Sequence, residues 1–169
     1  MTMPAQTDTQ TILTQYADGP SLLDSALAGL SETDLDLAPS ADEWSIRQIV
    51  HHIVDGDDIW KTCIKTALGN SDALFSLGWY AVRSQMEWSE SWAYPRRSLD
   101  SSLALYRANR AHILDLIEHV PGALEKSVLL ERRGKEAIRI TVFDVVELHV
   151  QHLAEHIESI KSIRQAHGI

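Results

Sequence analysis

The chain has 169 residues, 44% of them apolar and 23% charged, which predicts a single domain, 1–169, with a sizeable hydrophobic core. Its net charge of -9 argues against the basic surface that non-specific nucleic-acid binding or an anionic membrane requires. One cysteine, Cys63, excludes an internal disulfide and a paired-cysteine zinc site, and no apolar run reaches the ~18 residues of a membrane span.

Met1 to Thr11 is polar and lacks the basic and apolar regions of a secretory signal, so a cytoplasmic location is expected. A first helix is predicted from about Gln6 to Leu30, with Ile12, Leu13, Tyr16, Leu22, Leu23, Leu27 and Leu30 as its apolar side. Gly19-Pro20 interrupts it, and a kink or a break is expected there because Pro20 has no backbone N–H to donate. Turn and loop residues follow at Ser31–Asp34 and Pro39–Asp42.

A second helix is predicted from Glu43-Trp44-Ser45 to about Leu68, ended by Gly69-Asn70. Ser45, Ile49, His52, Gly56, Ile59, Trp60 and Cys63 share one face; Arg47, His51, Asp55 and Asp58 fall on the other. His52 is therefore expected in the core and its neighbour His51 in solvent. Gly56, one turn after His52, leaves room beside that imidazole or serves close helix packing; a helical glycine costs ~1 kcal/mol relative to alanine. Cys63 lies ~16 Å along the axis from His52 at 1.5 Å per residue and reads as a small buried apolar residue.

Ser71 to Ser98 is the least regular stretch, with Trp79, Tyr80, Trp88, Trp92 and Tyr94, and with a short helix expected from Leu77 to Trp88. Its aromatic residues are candidates for an apolar lid. A third long helix runs from about Leu99 to His119, closed by Pro121-Gly122. Gly122 to Ile140 is a connector in which Ser127–Leu130 suggests a brief extended piece.

The last helix, from Val142 to about His167-Gly168, carries the chemistry. At ~100° per residue, Val142, Val145, Val146, His149, His152, Leu153, His156, Ile160 and Ile163 form one stripe, while Asp144, Glu147, Gln151 and Glu158 face away. Three imidazoles thus fall on a face that ought to be core, where an unpartnered polar group costs on the order of 2 kcal/mol or more. His152 and His156, one turn apart, have the spacing at which two rings reach one first-row metal, although two satisfied core histidines would look the same. His52, inward on another helix, adds a third ring. Three neutral imidazoles from two facing helices, with further coordination positions open, have the form of a catalytic metal site in a bundle. His149 reads as a fourth ligand, a supporting donor or a polar wall of the pocket, and the pocket wall, together with Gly56 and Trp60, is favoured.

Other chemistries fit poorly. An H-E-x-x-H helix is absent, because Glu155 directly precedes His156, and there is no Gly-rich phosphate loop or serine elbow. His112, His119 and His167 have no ligand-like spacing and read as surface residues. Four long amphipathic helices with few strand signals predict an all-α four-helix bundle.

The run Trp44-Ser45-Ile46-Arg47-Gln48-Ile49-Val50-His51-His52-Ile53-Val54-Asp55 resembles the DinB/YfiT-like family of metalloenzymes. So does Thr141-Val142 leading to His149-x-x-His152-x-x-x-His156-Ile157, with Tyr16-x-x-Gly19-Pro20 and Gly29-Leu30-Ser31 upstream. The resemblance covers about Ile12 to Ile163. It implies a four-helix bundle, commonly a homodimer, holding a nickel- or zinc-type divalent metal through His52, His152 and His156. Some relatives carry out transfer or isomerisation with a low-molecular-weight thiol, bacillithiol or mycothiol. The mycothiol-dependent isomerase branch has a glutamate where this chain has His152, which argues against that activity.

The reading is a metal-dependent enzyme, either a thiol-dependent transferase or a hydrolase, acting on a small molecule. The metal would activate water or stabilise a thiolate. The alternative is a non-catalytic metal- or small-molecule-binding stress protein with structural histidines. No nucleic-acid or membrane partner is expected.

Overall fold

Helix α1 spans Thr9–Leu27 and is unbroken, with Pro20 inside it. The computed structural model describes residues 8–169, so the expected start at Gln6 lies outside the described residues. A proline leaves the carbonyl four residues earlier without its helical donor, here that of Tyr16. The Tyr16 carbonyl instead accepts from Arg110 Nη1 at 3.2 Å, so a tertiary bond replaces the helical one and the helix continues.

After α1, a single 3-10 turn at Asp34–Asp36 leads to α2, Ile46–Gly69. Ser45 and Gln48 close a reciprocal capping box at its start, which satisfies two otherwise orphaned backbone donors. Strand β1 (Leu74–Ser76), a short α3 (Gln85–Ser91) and α4 (Asp100–His119) follow, then β2 (Ser127–Glu131), β3 (Ile138–Thr141) and α5 (Val142–His167). The four long helices α1, α2, α4 and α5 make the bundle, with α1 against α5 and α4, and α2 against α4 and α5. None is long and apolar enough to cross a membrane.

The strands form one small sheet, ordered β1-β2-β3, parallel in its first pair and antiparallel in its second. β2 covers the expected extended piece at Ser127–Leu130, whereas β1 and β3 were not expected. The helix expected from Leu77 to Trp88 is instead a 3-10 turn at Tyr80–Val82 followed by α3. Ser84 sets that later start, because it caps α3 through a box with Glu87.

His51 departs from its expected place in solvent. It is fully buried, its Nδ1 2.9 Å from Ser102 Oγ and its Nε2 3.3 Å from the Arg97 carbonyl. That carbonyl can only accept, so Nε2 carries the hydrogen and Nδ1 accepts from the Ser102 hydroxyl. The physical reason is that α2 is covered on both flanks, by α5 on one and α4 on the other. A two-sided wheel wrongly allots one flank to water. Arg47 is buried for the same reason and pairs with Glu32 and Asp36 at 2.9 and 2.7 Å, which pins the α1–α2 connection to the bundle.

Gly19 makes the bundle's central contact possible. A Cβ there would lie 3.1 Å from Leu153 Cδ2, 3.1 Å from Tyr106 Oη and 3.3 Å from Arg110 Nη1. Glycine to alanine normally stabilises a helix by about 1 kcal/mol. Here Gly19→Ala is expected to lower the melting temperature instead, because these neighbours are packed and cannot all retreat. A rise in thermal melting would show that they do yield.

Candidate metal centre

The site is built by two helices whose phases are set by ordinary packing. On α5, Val142, Val145, Val146, Leu153, Ile160 and Ile163 are buried, so His149, His152 and His156 turn towards α2. Thr141 and Asp144 cap the start of this helix reciprocally. On α2, Ile49 and Ile53 bury the face that carries His52.

The three rings converge. His152 Nε2 lies 3.1 Å from His52 Nε2 and 3.1 Å from His156 Nε2, and the nitrogens of the trio all fall within 4.8 Å of one another. With metal–nitrogen bonds of about 2.0–2.1 Å, neighbouring ligands stand about 2.9 Å apart at a right angle and about 3.3 Å apart at the tetrahedral angle. The two separations from His152 fall between these values, and with the third pair within 4.8 Å the trio can close on a first-row divalent ion. Trp44 packs on it, its ring 4.6 Å from that of His52 and 6.4 Å from that of His156.

All three rings are half-buried, and burial holds each of them in the neutral form a metal needs. Burial, helped by the His152 and His156 rings, lowers His52 to about 3. Burial, helped by His156 and His149, lowers His152 to about 4, and burial also lowers His156. His51, deep between α2 and α4, is lowered by burial as well.

A pH dependence follows for the metal-free protein. Folded-state imidazole pKa values below the unfolded ~6.5 mean that the unfolded chain binds more protons, so stability falls as pH drops. This contribution is complete above about pH 6.5 and is lost progressively towards the depressed values near 3 and 4. The urea midpoint of chelated protein should decline from pH 7 to pH 4.5, and less steeply in His52→Gln. Identical slopes for the two proteins would contradict the assigned burial cost.

A cleft of about 280 Å³ opens beside the trio, lined by His52, Gly56, Ile59, Trp60, Tyr80, Gln85, Leu148, His149 and His152. Gly56 keeps its floor open towards His152 rather than beside His52; a Cβ there would come 3.9 Å from His152 Cε1, an ordinary contact. The expected lid is only partly present. Tyr80 and Gln85 reach the cleft, but Trp88 stacks on Tyr80 and packs edge-on against Trp79 and tilted against Trp92, and the tryptophans of this segment lie outside the lining. A second cleft of about 510 Å³ meets the trio from another side and includes Trp44, Met86, His156, Ser159 and Ser162.

His149 stands apart from the converging nitrogens. Its Nδ1 is 3.0 Å from Asp57 Oδ1, which also accepts from Arg110 Nε at 2.8 Å. Asp57 and Arg110 are both 2% exposed, and the guanidinium lies between the Tyr16 and Tyr106 rings at 3.8 and 4.9 Å. Sequence reasoning missed this pair and Trp44. A signal existed: Asp57 is four residues after Ile53 and seven before Ile64, and Arg110 is four after Tyr106 and three before Ile113. Each charge interrupts an apolar stripe. Cys63 is buried as expected, and burial pushes its thiol up to about 12, so it is inert.

A family model described as the DinB superfamily matches residues 15–160, which include every residue of the trio and its support. The chain belongs to the DinB superfamily. A Bacillus licheniformis member named "Putative metal-dependent hydrolase" is 30% identical over 152 residues, covering 88% of this chain and 81% of that protein. The solved structure of YfiT from Bacillus subtilis, described as a probable metal-dependent hydrolase with an unusual four-helix bundle topology, superposes with a TM-score of 0.80. That match covers 99% of this chain and 94% of YfiT at 18% identity, which shows a shared fold. Within this DinB bundle the small β1-β2-β3 sheet packs against α2 and α5, and the histidines sit on the long helices.

Proposed function

We propose that this protein is a metal-dependent hydrolase of a small molecule, holding a zinc- or nickel-type divalent ion through His52, His152 and His156. The carrying observation is the convergence of three Nε2 atoms beside an open cleft. Imidazole donors suit zinc and nickel, and three protein ligands leave further positions for solvent and substrate. The names of the DinB relatives support the same reaction class. An ion bound there would supply Lewis acidity to a polarised substrate oxygen and to water. The chain's own part is to hold the three rings neutral, to shape the cleft with Ile59, Trp60 and Leu148, and to present His149 at its wall.

Thiol-dependent transfer is the second reading. It is favoured by the second cleft against His156, since two clefts meeting one centre give room for two reactants. A purely structural site accords less well with a trio that borders open space. The reading extends to a cytoplasmic homodimer with neither nucleic-acid nor membrane partner, which sedimentation of untagged protein and a DNA shift assay address.

The test is elemental analysis of untagged protein followed by a hydrolysis screen with and without a low-molecular-weight thiol. About one zinc or nickel per chain is expected, with ester or amide hydrolysis that chelation removes and metal restores. Turnover only with thiol present would select the second reading, and a metal-free, inactive protein would refute both.

A further inference from the structure

We propose that His149 is the proton acceptor of the cleft, with its tautomer set by Asp57 and with Asp57 held in place by Arg110. The inference rests on the reading of this cleft as a reaction site. An ionised carboxylate can only accept hydrogen bonds, so the 3.0 Å contact with Asp57 Oδ1 puts the ring hydrogen on His149 Nδ1. Arg110, always charged, donates to that same oxygen at 2.8 Å and holds the carboxylate in place. The neutral ring therefore has its lone pair on Nε2.

That nitrogen has no hydrogen-bond partner among the described residues and is not sealed from solvent, so it is accessible from the cleft that His149 lines. A histidine kept only for packing would have both nitrogens satisfied or sealed. A metal ligand would share the trio's convergence, which His149 does not. Its ring centre is 6.3 Å from that of His152, and both rings line the same cleft, so a group held in that cleft meets His149 beside the trio.

The step balances without a further reagent. The oxygen of a water bonds to the electrophilic centre of the substrate, and the bond to the leaving group breaks with its electron pair going to that group. The water's proton passes to Nε2 and from there to the leaving group. While Nε2 holds it, the ring's charge is opposed by Asp57. His149 is thus a catalytic residue, and Asp57 and Arg110 are positioning residues.

Two measurements decide the matter. Long-range ¹H–¹⁵N spectra of the imidazoles, on metal-free and zinc-loaded wild type, should show His149 protonated at Nδ1 and bare at Nε2. In the double variant Asp57→Leu/Arg110→Leu, which removes the acceptor without leaving either charge unpaired, the ring should shift towards the Nε2–H form. Kinetics with p-nitrophenyl acetate as the probe ester should show His149→Gln keeping the zinc dissociation constant within about threefold and KM little changed. Its kcat should fall by about 10²-fold or more, the usual contribution of a general base. An Nε2–H tautomer in wild type, an unchanged kcat in His149→Gln, or zinc affinity lost with that variant would overturn the proposal. A wild type that takes up no zinc or hydrolyses nothing breaks the metal-hydrolase reading instead, and the tautomer of the metal-free ring alone then decides His149.

Discussion

His152→Ala should weaken metal binding by about 10²–10³-fold, whereas His51→Ala should leave it at wild-type affinity. His152 is the shared member of the trio, with its Nε2 3.1 Å from each of the other two, while the other two have no such contact with each other. Its loss leaves only two of the three nitrogens, one from each helix. Zinc bound by a full set of four protein ligands is worth about 10–16 kcal/mol, so one ligand contributes about 2.5–4 kcal/mol, or a weakening of about 10²–10³-fold. His51 points to α4, and its replacement removes one partner each from the Ser102 hydroxyl and the Arg97 carbonyl, which keep only the bonds from Arg97 Nη2 and Arg47 Nη1. That variant should lose about 2 kcal/mol of stability and no metal. Isothermal titration with zinc, paired with urea unfolding, separates the two effects; equal loss of affinity in both variants would mean that the helix phases are wrong.

Arg110→Leu is expected to be among the most destabilising single changes in the chain. It leaves the Asp57 carboxylate, 2% exposed, with only the His149 N–H as partner, and it empties the space between the Tyr16 and Tyr106 rings. Breaking a buried ion pair from one side costs about 3–5 kcal/mol. For a chain of this size that corresponds to a drop of about 10 °C or more in melting temperature. The double variant Asp57→Leu/Arg110→Leu removes both charges and should recover much of the loss, because the penalty lies in the uncompensated anion rather than in the missing bond. If the double variant is as unstable as the sum of the single ones, the pair is not coupled and the energetic account fails.

The part of this architecture that periodicity encodes was legible: the four long helices and the inward phase of His52, His152 and His156 follow from apolar spacing on α2 and α5 alone. What escaped were features created by neighbours distant in sequence. His51 was allotted to water because a wheel knows one buried face, and α2 has two. β1 consists of Leu74–Ser76, too short to show alternation, and exists because β2 offers it a ladder more than fifty residues later. Asp57 and Arg110 look misplaced on their own helices and make sense only as a pair. The tryptophans of the irregular segment were read as a lid, but aromatic faces satisfy one another as readily as they cover a cleft, and Trp88 packs on its own kind.

The proline in α1 bears on the order in which the chain assembles. The carbonyl that Pro20 leaves free finds its donor 94 residues away, on α4. α1 therefore cannot finish its own backbone bonding as a local event; its middle turn is completed only once the loop to α4 has closed and the entropy of that closure has been met. The same Arg110 side chain then reaches Asp57, and Asp57 reaches His149. The polar wall of the cleft is consequently a late product of folding, made when the ends of the bundle are already together. Partly folded forms would carry His152 and His156 on a formed α5 before His149 has its partner, so the chain can gather ligands for an ion earlier than it gains the arrangement that would put that ion to use.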